Sequence, residues 1–231
     1  FKPKLNNPFY FLRTGLYKKI KEHSHFMEGK VLDFGCGKKP YQSLFTNAKE
    51  YIGVDYEGEG HSHKNEMIDV FYDGKKIPFA DNTFDNIFCS EVLEHIFNPD
   101  EIIAELNRVV KPGGKLLLTC PFVWGEHEVP VDYARYTRFA LKYLMEKHGF
   151  SIVYLEKSGD YRSTLYQMRI VYVTSHFIPS IPVLGKMKVF VTNINPIVSF
   201  LMNCWFICWH AILPKRYDWY QNNIVVAQKN L

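Results

Sequence analysis

KVLDFGCGKKP (Lys30–Pro40) reads as a short apolar strand running into a glycine turn, and YIGVDY (Tyr51–Tyr56) as a second strand ending on an acid. Glycines let a backbone turn tightly and approach a ligand, and a carboxylate ending the next strand can accept both hydroxyls of a ribose. Working outward, FDNIFCS (Phe84–Ser90), KLLLTCPF, SIVYLE (Ser151–Glu156) and NNIVVAQ are further apolar runs. Between them, Asn98 is placed to cap a helix that has Pro99 at its first position and Asp100 and Glu101 in its first turn. Its apolar face is Ile102, Ile103, Leu106, Val109 and Val110, and Lys111-Pro112-Gly113-Gly114 stops it. Thr137 caps another helix running to Gly149, and Asn7–Phe26 carries Phe9, Leu12, Leu16 and Ile20 at helical intervals interrupted by Gly15. Strands that are continuous apolar runs and alternate with helices imply an α/β fold whose mostly parallel sheet is covered on both faces. Ligands bind such sheets beyond the C-terminal strand ends, so the loops starting at Gly35, Asp55, Ser90 and Pro121 should face one crevice.

Composition narrows the classes. The chain has 231 residues, 47% hydrophobic, 23% charged and 16% aromatic, which excludes a disordered polypeptide. A formal charge of +4 with scattered Lys and Arg argues against nucleic acid as a partner. Five cysteines (Cys36, Cys89, Cys120, Cys204, Cys208) follow no framework spacing, which fits a reducing cytoplasm. No carboxylate and histidine set has the spacing or clustering of a dedicated metal site, so none is expected. The first thirty residues mix Lys, Arg, Glu and His through their apolar positions, so no secretory signal is expected. The chain opens at Phe1, and the native start is expected to lie upstream.

The glycine turn alone leaves alternatives open, because nicotinamide enzymes share the glycine, strand and acid logic. The dinucleotide pattern needs a third glycine where the helix packs, and here that position is Pro40, preceded by Lys38 and Lys39. Asp33, just before the glycines, would repel a diphosphate and could take an ammonium group.

VLDFGCGKKPY, YIGVDY, IPFADNTFDNIFCSEVLEHIFNP and RVVKPGGKLLLTCPF, in this order over about residues 28 to 157, resemble the successive motifs of class I S-adenosylmethionine-dependent methyltransferases, closest to the type 11 group. The block PFVWGEHEVPVDYARYTRFALKYLMEKHGF is similar to bacterial members found with polysaccharide and other surface-glycan biosynthesis. The resemblance implies a Rossmann-like sheet with its last strand antiparallel, and S-adenosylmethionine as cofactor. It places Asp33, Gly35, Cys36 and Gly37 around the methionine part, Asp55 on the ribose and Tyr56 beside the adenine. It puts Asp69 and Val70 at the adenine edge, with Ser90 and Glu91 closing the pocket. The family's third glycine is Lys39 here, so Lys38 or Lys39 would supply a charge for the methionine carboxylate.

A hydroxyl acceptor must lose its proton as the methyl bond forms, and histidine suits that task near neutral pH. His127 lies just past KLLLTCPF, with Glu126, Glu128, Asp132, Tyr133, Arg135 and Tyr136 crowding the same ten residues. His127 is the first candidate base, Asp132 or Glu128 its orienting partner, and Glu128, Tyr133, Arg135 and Tyr136 the acceptor contacts. His95 is the second candidate base; helix-surface polarity and capping is the other reading of Glu91, Glu94 and His95.

From Val189 to Pro214 no Asp, Glu, Lys or Arg occurs, while Lys186, Lys188, Lys215 and Arg216 flank the stretch. Ile194–Leu213 has the length of a membrane span, yet a single crossing would strand NNIVVAQ on the wrong side. A helix lying on an anionic leaflet, anchored by Trp205 and Trp209, is one reading; a core or dimer helix with Cys204 and Cys208 packed is the other. The expected organisation is a helical cap (1–27), a cofactor domain (28–160), an apolar helical insertion (161–216) and a returning strand (217–231). The expected function is O-methylation of a sugar on a glycan or lipid-linked glycan, in the cytoplasm or at the inner membrane face, by a monomer or homodimer. Rivals are a quinone or small-lipid methyltransferase, and an inactive cofactor-binding partner subunit.

Overall fold

The structure, a computed structural model, describes residues 3–58, 66–181 and 188–231, with side chains of the last segment described from residue 194. Seven strands form one sheet: β1 (Gly29–Phe34), β2 (Ala48–Tyr56), β3 (Val70–Tyr72), β4 (Phe84–Ser90), β5 (Val110–Pro121), β6 (Phe150–Ser158) and β7 (Asn222–Lys229). Their order is β3-β2-β1-β4-β5-β7-β6. The pairs among β1 to β5 are parallel, and β7 runs antiparallel to β5, with Leu117 opposite Val226. The expected α/β class and the antiparallel return are thus observed.

The strand residues Val31, Leu32, Ile87, Leu116 to Leu118 and Ile224 to Ala227 are buried, which explains their uninterrupted apolar character. Helix α1 spans Tyr10–His23, α2 Pro99–Val109 and α3 Arg138–Lys147. On α2, Ile102, Ile103, Leu106 and Val109 are buried, and full burial of each such side chain contributes roughly 1.5–3 kcal/mol. Thr137 caps α3 by accepting from Ala140 N at 3.2 Å. Asn98 makes no cap bond; its amide reaches Glu101 at 3.3 Å instead. Nor do Lys111–Gly114 form a stop after α2, because the chain passes directly from Val109 into β5 and they are its first residues. Gly15 does not interrupt α1, for a Cβ there would overlap the Ser158 hydroxyl and glycine permits the approach.

The chain divides into two compact units, Lys18–Glu156 with Asn222–Leu231, and Phe1–Tyr17 with Lys157–Gln221. In the second, α4 (Tyr161–Tyr172) opens on a capping box: Asp160 accepts from Ser163 N, and Ser163 Oγ accepts from Asp160 N. A long helix, α5 (Lys188–His210), contains Pro196. Ser199, Asn203 and Phe206 form its buried stripe, spaced four and three residues apart. Phe206 stacks on Tyr166 at 4.0 Å, with Phe11 edge-on to both. Asn203 donates to the carbonyls of Leu5 and Asn7 and accepts from Tyr166 OH. The outward side carries Ile197, Phe200, Leu201, Trp205 and Trp209. Cys208 is exposed rather than packed, and Cys204 is half-buried. Among the described residues no helix is long and apolar enough to cross a membrane. Lys186 and the side chain of Lys188 lie outside the described residues.

The turn after β1 depends on Gly35, which has φ +72° and packs so close that a Cβ would overlap Val92. Gly37 also has positive φ, +45°, but a Cβ there would meet nothing within 4 Å. Gly35→Ala should therefore cost more stability than Gly37→Ala, with roughly 1–2 kcal/mol of backbone strain common to both. Urea denaturation of the two variants measures the difference, and equal losses would show that the Val92 contact is easily relieved.

Candidate functional site: a cleft at the C-terminal strand ends

A cleft of about 490 Å³ opens beyond the C-terminal ends of β1, β2 and β4, within the range typical of small-molecule sites. It is lined by Gly35, Gly37, Asp55 and Tyr56, from the exits of β1 and β2, and by Glu91, His95, Glu128 and Tyr133, from the loops after β4 and β5. These eight of the residues singled out in the sequence thus line one cavity. Phe34, Glu66, Tyr72, Gly74, Phe97, Asn98 and Glu101 also line it, none of them read from the sequence as a site residue. They come from the ends of β1 and β3, the segments flanking β3, and the loop and first turn of α2 after β4, so only the folded register brings them here.

Asp55 joins the glycine turn directly: its Oδ2 accepts from Gly37 N at 2.7 Å and its Oδ1 from Tyr56 N at 2.8 Å. Open space above Gly37 lets a ligand approach the backbone, and the Tyr56 ring is half-exposed beside it. This lining therefore fits a cofactor with a ribose and an adenine: an acid for hydroxyls, an aromatic face, and an unobstructed glycine turn.

Several expected contacts lie elsewhere. Asp33 is buried, with Tyr51 OH donating to it at 2.6 Å, and it does not line the cleft. Asp69 also lies outside it, clamping the base of the turn by accepting from Gly53 N at 2.6 Å and pairing with the Lys39 ammonium. Lys39 is spent in that ion pair, 5% exposed, rather than offered to a ligand carboxylate. Cys36 is buried, Val70 pairs with Val54 in the sheet, and Ser90 shares a hydrogen bond with Thr119 at 2.8 Å.

The segment after β4 is a single 3-10 turn, Leu93–His95, so Glu91, Glu94 and His95 are not a helix surface. Glu91 adopts φ +57°, a strained value for a residue with a Cβ, and its carboxylate accepts from Thr119 and Asn222. Glu94 is wholly buried. Burial pushes both carboxyls above the usual range, Glu94 further because Glu91 stands near it. His95 Nδ1 lies 2.7 Å from the carbonyl of Val131, which can only accept, so Nδ1 carries a hydrogen and Nε2 is the nitrogen turned to other partners. Nε2 is 3.5 Å from Glu128 and 3.8 Å from Glu94.

His127 does not itself line the cleft, but its ring sits 4.7 Å from that of His95. Asp132 accepts from His127 N at 2.9 Å and lies 3.2 Å from His127 Nδ1. The same carboxylate is gripped bidentately by Arg135, at 2.6 and 2.7 Å, which holds it well below the usual carboxylate range. Arg135 thus orders the loop instead of facing an acceptor, and Tyr136 packs against the core. The clustering that spacing did not show is present here: Glu94, His95 and His127 bring ligand-type atoms together.

Burial pushes the Asp33 carboxyl up to about 7. The unfolded chain releases that proton near 3.9, so between about pH 4 and 7 the folded state binds more protons and loses stability as pH rises. Carboxyls held low, such as Asp132, act below pH 4 and leave this window untouched. Glu91 and Glu94, also pushed up by burial, act with the same sign, so the ligand-free protein should melt at a lower temperature at pH 7.5 than at pH 5.5, and Asp33→Asn should reduce the fall without abolishing it. Thermal scans across this range check both; a rise in Tm with pH would refute the assignment.

The comparisons with known proteins agree with this geometry. A family model described as "Methyltransferase domain" matches residues 32–118. A tRNA U34 carboxymethyltransferase of Nautilia profundicola is 29% identical over 136 residues, 54% of this chain and 45% of its own. An uncharacterized methyltransferase of Mycolicibacterium gilvum is 32% identical over 147 residues, 59% of this chain and 55% of its own. The chain spans about half the length of these curated relatives. In structure, a phosphoethanolamine N-methyltransferase of Haemonchus contortus, solved with S-adenosyl-L-methionine, aligns with TM-score 0.54 and 19% identity over 95% of this chain and 53% of its own, a likeness of fold. Residues 32–118 thus match the methyltransferase-domain family, and the glycine turn with the acid at the end of β2 fits S-adenosylmethionine as cofactor.

Proposed function

We propose that the protein moves a methyl group from S-adenosylmethionine to a hydroxyl of a sugar on a glycan or lipid-linked glycan intermediate. The observation that carries this reading is the single cleft, which is lined both by the Gly35–Gly37 turn, Asp55 and Tyr56 and by His95, Glu128 and Tyr133. S-adenosylmethionine supplies an electrophilic methyl group on a sulfonium; the chain aligns the acceptor and manages its proton. Alignment of this kind can contribute roughly 7–11 kcal/mol. Asp55 takes the ribose hydroxyls while remaining bonded to Gly37, and Tyr56 covers the adenine. Asp33 reaches the cofactor through its field, as the buried acid beneath the turn. The acceptor proton passes to Nε2 of His95, whose Nδ1–H stays on Val131. His127, braced by Asp132, sets the tilt of that ring. Tyr133 and Glu128 receive the polar acceptor.

A lipid-linked acceptor is supported by α5, which turns Ser199 and Asn203 inward and Phe200, Leu201, Trp205 and Trp209 outward. Lys215 and Arg216 follow that face and are exposed, a composition that suits an anionic leaflet. The protein then works at the inner membrane face without spanning it.

Transfer of a radiolabelled methyl group into host-cell extract, split between organic and aqueous phases, tests the proposal. Label in the organic phase is expected. Label only in the aqueous phase would assign a soluble sugar, and binding without any transfer would favour an inactive partner subunit. Asp55→Ala should weaken cofactor binding at least ~10-fold, the value of a charge-assisted hydrogen bond. His95→Ala should keep binding and slow transfer by about 10²–10⁴.

A further inference from the structure

Glu94 has no exposed surface, and neither of its carboxylate oxygens has a hydrogen-bond partner among the described residues. Burying an unpaired carboxylate is costly, so such a group is retained where something pairs with it. The groups that surround it are metal-ligand types. One ligand atom from each of Glu94, His95 and His127 lies within 4.8 Å of the other two. His95 is oriented as a metal-bound histidine is, with Nδ1 on the Val131 carbonyl at 2.7 Å, and His127 Nδ1 lies 3.2 Å from Asp132 and 3.3 Å from the Gly125 carbonyl, with the Arg135 guanidinium 3.4 Å away. Arg135 fixes that Asp132 carboxylate in turn. Among the described residues one other grouping of this kind occurs, Glu22, His23 and Glu156, and there a cation contacts the carboxylates themselves. Lys19 already lies 2.9 Å from Glu22 and 2.6 Å from Glu156, so its carboxylates are neutralised by an internal cation.

We propose that Glu94, His95 and His127 form a site for one divalent first-row transition-metal ion at the acceptor end of the cleft. Two imidazoles and one carboxylate are a donor set for Zn²⁺, Fe²⁺, Mn²⁺ or Co²⁺ rather than for Mg²⁺ or Ca²⁺, which prefer oxygen cages. Bonds of about 2.0–2.2 Å to a tetrahedral ion set donors roughly 3.3–3.5 Å apart, so the three side chains draw in slightly on binding. Three protein ligands leave a position open toward the cleft that His95 lines. With the ion bound, His95 Nε2 is a ligand and no longer the base: an acceptor hydroxyl coordinated there loses its proton more readily, and the proton leaves to Glu128, which stands 3.5 Å from His95. Ion binding stands by itself; its use in catalysis rests on the methyltransferase reading.

The test is titration of the full chain, stripped with a chelator, with Co²⁺ followed by visible absorption and with Zn²⁺ followed by calorimetry. One ion per chain is expected, with affinity at least ~10-fold weaker in Glu94→Gln and in His127→Ala, and less affected in Asp132→Asn. Calorimetry with S-adenosylmethionine on the same variants verifies that they fold. No ion bound by the folded wild type, or an ion whose affinity ignores both substitutions, overturns the site. Methyl transfer should fall on chelation and return with the ion; transfer indifferent to chelation overturns the catalytic use and leaves His95 as the base. Ion binding without S-adenosylmethionine binding would instead sink the methyltransferase reading and leave the metal site standing.

Discussion

The carboxylate of Glu91 holds the working edge of the sheet together. It follows β4, accepts from Thr119 on β5 and Asn222 on β7, and so ties the C-terminal end of β5 and the start of the antiparallel strand to the loop that carries the site. The cost is visible in its left-handed backbone and in a carboxyl pushed upward by burial. With Glu91 in that pose the chain makes a 3-10 turn in place of a helix, which buries Glu94 and turns His95 to the cleft. A strained residue at the exit of a strand is thus what positions the acceptor side.

The cofactor side rests on different physics. There the backbone dominates: Gly35 at φ +72° avoids Val92, and Gly37 donates to Asp55, so the turn after β1 and the end of β2 form one unit before any ligand arrives. Beneath it, Lys39, Asp69 and Gly53 lock the turn to the sheet. The lysine that stands where the family has glycine has therefore become part of the scaffold. Its left-handed φ of +49° shows that the backbone keeps the glycine-like conformation.

The second unit inverts the usual amphipathic pattern. Asn203 faces inward because it can satisfy the carbonyls of Leu5 and Asn7 and the Tyr166 hydroxyl at once, a role that no apolar side chain could fill. Phe206 joins it in the buried stripe, while Ile197, Phe200, Leu201, Trp205 and Trp209 are left outside. Counting charges along this stretch reveals an apolar segment, but which side of it meets protein follows from hydrogen bonds that span nearly two hundred residues of sequence.

Much of the architecture was legible in local pattern. Continuous apolar runs identified β1, β2, β4, β5, β6 and β7, and the glycine turn with Asp55 located the cofactor end, because burial on both faces and positive φ leave direct marks on residue type. The three-residue β3 was too short to show. Asp33, Asp69 and Lys39 were recognised as important residues, yet their positions under the turn depend on Tyr51 and Gly53 across the sheet. The convergence of Glu94, His95 and His127 was invisible for a similar reason: His127 sits 32 positions beyond His95, and only the loop clamped by Arg135 and Asp132 folds it back. Sequence alone determined six of the seven strands and the acid that ends β2 after the glycine turn, since those follow from nearest-neighbour backbone preference and burial. Tertiary structure decided which charged groups are partnered and which are left facing one another, since pairing depends on distances that no spacing along the chain encodes.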